Sequence, residues 1–365
     1  MGEGVPDKRD GAHPPQRTTT PSPGVHRPAA PPPETDSGSL AEMLCPILRE
    51  VCRGRLSRVQ WFRSAWQAGG ASTGTATYQL TPTRAIDVVV KLPVGPLEHH
   101  WTTAVGTCAD SVEHHDGPTP RVLASGTELG GYDLAWLVVE KLDGHPLSTM
   151  LSADSVQSLL HTAAVWYREA GSKRDIADAP PPKQEDWPAL IARGREAVRD
   201  NSLADAQRWN EALKHVQRVL PKLVNGWESR RINTWCHGDL HPGNAMLRAP
   251  AASGEEEASA LSKCVLIDLA LVHPGHWVED ALYLERLFWA KPELLFGIKP
   301  VPTLARFRRE LGLDTSDDYG AIALLRRTLM AATVPAFLEH EGHPKYVRSA
   351  LDVLEKSMAS LGYQH

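Results

Sequence analysis

The chain has 365 residues, enough for two lobes that each bury a core, and its 39 basic and 44 acidic side chains leave a formal charge of -5. So small and mixed a balance excludes the basic stripe that nucleic acid or an anionic membrane surface requires. Five cysteines at positions 45, 52, 108, 236 and 264 form neither a C-x-x-C pair nor a secreted scaffold, so buried, inert thiols in a reducing cytoplasm are expected.

From Met1 to Ser39 the sequence is dominated by Pro, Thr, Ala and Gly, as in Ala30-Pro31-Pro32-Pro33. Too little apolar surface is present to offset the entropy of ordering it, and a disordered tail is expected over 1–39. The start of the chain lacks a basic-then-apolar leader, and no apolar run reaches the length of a membrane span, so a soluble protein is expected. Leu40, Leu44, Ile47, Leu48 and Val51 recur at helical spacing, predicting a short helix broken near Pro46. Three strands are predicted next, over Val59 to Trp66, Thr75 to Leu80 and Ala85 to Leu92, with a glycine-rich turn from Ala68 to Gly74 between the first two. A helix around Leu97 to Val112 and strands over Arg121 to Ser125 and Leu134 to Glu140 complete a five-stranded, mostly antiparallel sheet with one helix. From Leu147 onward helical patterns dominate. Strands first and helices after define an α+β layout in two lobes.

Inside the helical half lies Cys236-His237-Gly238-Asp239-Leu240-His241-Pro242-Gly243-Asn244, followed by the apolar run Val265-Leu266-Ile267 that delivers Asp268. An acid and an amide on one loop, with a second acid at the end of a strand, are the parts needed to move a phosphoryl group from a magnesium nucleotide. Asp239 can accept a hydroxyl proton or orient the attacking hydroxyl, while Asn244 and Asp268 supply hard oxygen ligands for Mg2+. The spacing reproduces the kinase pattern H-x-D-x-x-x-x-N. Each residue alone is an ordinary turn or strand-end group; their combination is what carries the reading.

With these residues the chain resembles the aminoglycoside phosphotransferase and choline kinase type of small-molecule kinase, a branch of the protein-kinase-like fold. The resemblance runs from about Leu40 into the last helices and is strongest between Trp235 and Asp280. It implies a nucleotide-binding lobe over 40–142 and a catalytic and substrate lobe over 143–365. It further implies a nucleotide-covering loop at Gly69, Gly70, Ser72 and Thr73, whose backbone amides and hydroxyls approach phosphates. Lys91 is then the lysine for the α and β phosphates, with Glu98 as its carboxylate partner and Glu113 as the alternative. Backbone groups near Glu140 and Leu142 are implied to meet the adenine edge. His237 is implied to hold backbone groups beneath the loop, and Asp280 to fix the loop after the metal ligand. The 24 positions between Asn244 and Asp268 imply a hairpin whose extra residues, Ala249 to Ser262, loop out at the tip. The implied reaction is transfer of the γ-phosphoryl group of ATP, with GTP equally open, to a hydroxyl of an aminoglycoside, amino alcohol or sugar-like small molecule. No A-P-E element follows Asp268, which argues against a protein kinase. Two other classes compete. A catalytically weak nucleotide-binding protein would need a damaged catalytic set. A metallohydrolase would read His237, Asp239, His241, His273 and His276 as a zinc cluster.

Overall fold

The computed structural model describes residues 37–62, 71–107, 117–201, 203–248 and 264–363. The Pro-rich segment to residue 36, Gly69, Gly70, Cys108, Glu113 and the 249–262 insertion lie outside the described residues. Helix α1 spans Ser37–Val51, so its first turn occupies the last positions expected as tail. It runs through Pro46 without a break. A proline there forfeits one backbone hydrogen bond; burial of Ala41, Leu44, Leu48 and Cys52 against the sheet offsets that loss.

The sheet contains β1 (Gln60–Phe62), β2 (Ser72–Thr81), β3 (Arg84–Leu92), β4 (Val122–Gly126) and β5 (Trp136–Glu140), in the order β1-β2-β3-β5-β4. Every neighbouring pair is antiparallel. Ser72, Thr73 and Gly74, expected in a turn, already belong to β2, where Thr73 faces Lys91 and Gly74 faces both Trp61 and Val90. The β-branched Thr73 suits a pleated strand. Gly74 is required by close packing, because a Cβ there would lie 2.5 Å from Val59 Cγ1.

Helix α2 (Pro96–Gly106) follows β3 and ends earlier than the sequence predicts. At its end Gly106 packs so tightly on Pro120 that a Cβ would come within 2.4 Å of that carbonyl oxygen. The apolar face of α2 belongs to the larger core rather than to that of the sheet: Trp101 lies 4.8 Å from Trp235 and 5.7 Å from Trp166, centroid to centroid.

The rest is mainly helical: α3 (Ala153–Lys173), α4 (Trp187–Asp200), α5 (Ala206–Glu228), α6 (Val278–Leu287), α7 (Pro300–Glu310), α8 (Tyr319–Thr333), α9 (Leu338–Glu341) and α10 (Pro344–Ser360). Between α5 and α6 the chain forms two small ladders, β6 (Thr234–Cys236) with β9 (His273–Gly275) and β7 (Ala245–Leu247) with β8 (Cys264–Leu266). This is the two-lobed, kinase-like α+β arrangement that the resemblance implies. Among the described residues no helix is long and apolar enough to cross a membrane.

Candidate active site

The loop between β6 and β7 is held from below. Asp280, buried on the first turn of α6, accepts hydrogen bonds from the backbone amides of His237 (2.7 Å) and Gly238 (2.9 Å) and from the Tyr167 hydroxyl (2.9 Å). The sequence implied that Asp280 fixes the chain after Asp268. Instead it grips the segment that carries Asp239, because a buried carboxylate needs several donors and the loop offers two amides in a row. Gly238 makes that geometry possible: its φ is +84°, and a Cβ would stand 2.1 Å from the Leu271 oxygen. His237 is fully buried. Its Nδ1 accepts from the Asp239 amide at 3.3 Å, which leaves the proton on Nε2 to be donated to the Ile267 oxygen at 3.2 Å. Burial lowers the pKa of this ring and keeps it neutral.

Asp239 and Asn244 touch. The Asn244 amide donates to Asp239 Oδ2 at 2.8 Å and to the Asp239 carbonyl at 3.2 Å, which turns Asn244 Oδ1 away from the acid. His241 Nδ1 accepts from the Gly243 amide at 2.9 Å, and its Nε2 lies 3.6 Å from Asp239 Oδ2. Burial pushes the Asp239 carboxyl up, but hydrogen bonds from His241, Tyr283 and Asn244 outweigh it and hold the group at about 2.

The expected hairpin brings the second acid to this loop. Ala245 pairs with Leu266, Met246 with Val265 and Leu247 with Cys264. One step further, the Ile267 amide donates to the Asn244 oxygen at 2.9 Å, so Asp268 is the next residue beyond the last cross-strand bond. Asp268 is exposed and adopts a left-handed backbone, φ +64° and ψ +69°. Such a conformation costs a non-glycine residue about 1–3 kcal/mol and persists where surrounding structure enforces it. Among the described residues no hydrogen bond or ion pair engages its carboxylate, in contrast to Asp280.

On the opposite lobe Lys91 Nζ forms an ion pair with Glu98. Glu98 is buried on α2 one turn before Trp101, so the partner of Lys91 is anchored in the core of the helical lobe. Glu140 is engaged through both its backbone and its side chain. Its amide donates to the Arg121 oxygen at 2.9 Å, and its carboxylate accepts from the Arg121 amide at 2.9 Å and pairs with Arg248. The amide is therefore spent within the sheet. Arg248, just past β7, also reaches the carbonyls of Gly117 and Thr119, both at 3.4 Å, and so ties the sheet to the hairpin. Ser72 is buried, and its hydroxyl has no hydrogen-bond partner among the described residues.

A zinc centre does not fit these histidines. Both ring nitrogens of His237 are bonded to backbone, and His241 faces Gly243 and Asp239. His276 binds Asp317 Oδ2 at 2.8 Å and accepts from the Val278 amide at 3.3 Å. Cys236, His273 and Glu279 do lie together. However, Arg230 donates to Glu279 at 3.1 Å, and burial raises the Cys236 thiol well above its ordinary pKa, which disfavours the thiolate a metal requires. Cys264 is likewise pushed up by burial, to about 12.

Sequence reasoning missed Tyr167, Tyr283, Arg248 and the demand for glycine at 238. Only the last had a local signal, a glycine between the histidine and the acid. The others come from distant elements with no motif of their own.

Comparison with known families gives a match to the Phosphotransferase enzyme family over residues 68–325. No curated protein matches in sequence. Among solved structures the chain is similar to the GDP complex of an aminoglycoside 2′-phosphotransferase-IIIa, with 14% identity over 90% of this chain and 100% of that one and a TM-score of 0.46. It is also similar to an aminoglycoside phosphotransferase from Alicyclobacillus acidocaldarius, with 15% identity, 84% and 89% covered and a TM-score of 0.44. A third is the macrolide 2′-phosphotransferase of Brachybacterium faecium, with 12% identity, 85% and 97% covered and a TM-score of 0.42.

Proposed function

Because the chain belongs to the Phosphotransferase enzyme family, we propose that it transfers the γ-phosphoryl group of ATP to a hydroxyl of a small molecule, with Asp239 as the group that receives or orients the hydroxyl proton. The observation that carries this reading is the convergence of three side-chain positions on one loop and one hairpin: Asn244 bonded to Asp239, and Asp268 one residue beyond the backbone bond to Asn244. An acid held at about 2 is ionised throughout the physiological range, as a proton acceptor must be.

Asn244 Oδ1 and the Asp268 carboxylate fit a divalent ion: both are hard oxygen donors, and neither is consumed by a described protein partner. Bound there, Mg2+ would neutralise charge on the triphosphate oxygens. Lys91, steadied by Glu98, supplies a cation for the α and β phosphates, and the Ser72 hydroxyl, which has no partner among the described residues and follows the glycine-containing loop in the chain, supplies a donor. Gly69 and Gly70 complete that loop in this reading, and the Glu140 carbonyl with the Leu142 backbone forms the adenine edge. GTP could use the same phosphate groups. A cytoplasmic setting, where magnesium nucleotides are abundant, suits the reaction.

ADP release from Mg-ATP tests the proposal. Asp239→Asn is expected to lower turnover about 10²- to 10⁴-fold while nucleotide affinity is kept; Asp268→Asn is expected to lose both turnover and the magnesium dependence of binding. Undiminished turnover in Asp239→Asn would remove this acid from the chemistry.

A further inference from the structure

Asn244 and Asp268 stand at opposite ends of one hairpin, so their spacing is set by the register in which β7 pairs with β8. Three cross-strand pairs hold that register, from Ala245 with Leu266 to Leu247 with Cys264. A slip of one residue would carry Asp268 about 3.4 Å along the strand relative to Asn244 and reverse the face of each side chain. In a tight hairpin the turn fixes the register. Here the chain leaves at Arg248 and returns at Cys264. A connection of that length does not dictate the pairing, its closure opposes it, and so short a ladder is marginal by itself.

The register must therefore be fixed from outside the hairpin, and both edges show how. On the β8 side the Leu266 amide donates to the Pro118 oxygen at 2.7 Å. On the β7 side Met246 bridges to Pro146, and the Leu247 oxygen lies so close to Gly144 that a Cβ there would stand 2.2 Å away. Arg248 joins the two sides. It follows β7 directly, yet its guanidinium donates to the Gly117 and Thr119 oxygens, both at 3.4 Å, which flank the Pro118 that holds β8. The same guanidinium pairs with Glu140, whose carboxylate also accepts the Arg121 amide at 2.9 Å. A planar fork of several donors can make these bonds together, whereas a point charge cannot.

We propose that Arg248 is the positioning residue that sets the register of this hairpin, and with it the spacing of Asn244 and Asp268, in place of a tight turn. The consequence for magnesium rests on the phosphotransferase reading; the register itself does not. Arg248→Met, which keeps an aliphatic stem, is compared with the parent full chain by amide hydrogen exchange and by calorimetric titration of ADP at a series of Mg2+ concentrations. The Leu266 and Ile267 amides are expected to exchange about tenfold faster or more, while the amides of the β6 and β9 ladder keep their parental rates. The Mg2+ concentration that gives half-maximal tightening of ADP is expected to rise about tenfold. Replacing residues 249–262 by Asn-Gly supplies a two-residue turn and is expected to restore both readings in Arg248→Met. The proposal is overturned if Leu266 and Ile267 keep their parental exchange rates in Arg248→Met, or if both ladders accelerate alike, which marks a general loss of stability. It is overturned equally if the Asn-Gly turn, harmless in the parent, fails to restore the Arg248→Met chain. A parent chain that binds no Mg-nucleotide would refute the phosphotransferase reading instead, and the exchange rates would still decide on Arg248.

Discussion

Replacing Asp280 by Asn probes the link between the buried support and the loop that carries Asp239. The carboxylate accepts three hydrogen bonds, from His237 N and Tyr167 Oη at one oxygen and from Gly238 N at the other. An asparagine keeps one accepting oxygen. If it retains the first pair, its amide group faces the Gly238 amide, donor against donor. Hydrogen bonds to a charged group contribute about 1.5–3 kcal/mol and neutral ones about 0.5–1.5 kcal/mol. One charged bond lost and two reduced to neutral strength sum to about 5 kcal/mol of stability. The unpaired amide adjoins Asp239, so the loop shifts and kcat/KM is expected to fall about 10²-fold or more, the penalty of a misplacement near 1 Å. Tyr167→Phe is the control. It removes one bond and leaves both loop amides paired, so it should cost about 2 kcal/mol with little change in kcat/KM. Urea unfolding and Mg-ATP-dependent ADP release read the two effects. An Asp280→Asn chain within about 1 kcal/mol of the parent and within about threefold in kcat/KM would refute the argument that this carboxylate positions the loop.

Gly238→Ala should lose about 1–2 kcal/mol from the left-handed backbone alone, and more from the contact with the Leu271 oxygen, with activity falling further than the urea midpoint suggests. Glu98→Gln removes the ion-pair partner of Lys91 and is expected to weaken Mg-nucleotide binding about tenfold by calorimetry, with the fold intact. Trp101→Ala takes a fully buried ring from the contact with Trp166 and Trp235; a loss of about 3–5 kcal/mol is expected, together with weaker nucleotide binding, because the same helix carries Glu98. Burial pushes the Glu279 carboxyl up, but His273 and Arg230 hold it at about 2 against an ordinary 4.5. A depressed folded-state pKa means that the stabilisation, about 3 kcal/mol, is complete above pH 4.5 and drains away as pH falls toward 2. Acid titration of the unfolding free energy should show that slope in the parent and lose it in Glu279→Gln.

The strand and helix order followed from local pattern. The short β-branched run Val88-Val89-Val90 before Lys91 reads as a strand, its alternation of buried and half-buried positions appearing only in the fold, and the spacing from Leu40 to Val51 reads as a helix. The contact within the loop was equally legible, since Asp239 and Asn244 are five residues apart and a short segment can bring them together without help from elsewhere. Element ends were less legible. Pro46 stays helical because the sheet buries the face around it, and Ser72 and Thr73 join β2 because β3 is there to pair with them. Contacts between remote elements were decided by tertiary structure alone. Asp280 takes Tyr167 from 113 positions away, Arg248 reaches Glu140 across 108, and Trp101 belongs to the core of the other lobe. No local pattern encodes such pairs, because a buried carboxylate or guanidinium is satisfied by whichever donor or acceptor the packed elements deliver to it. A linear sequence specifies the groups that react; folding specifies which buried partners hold them still.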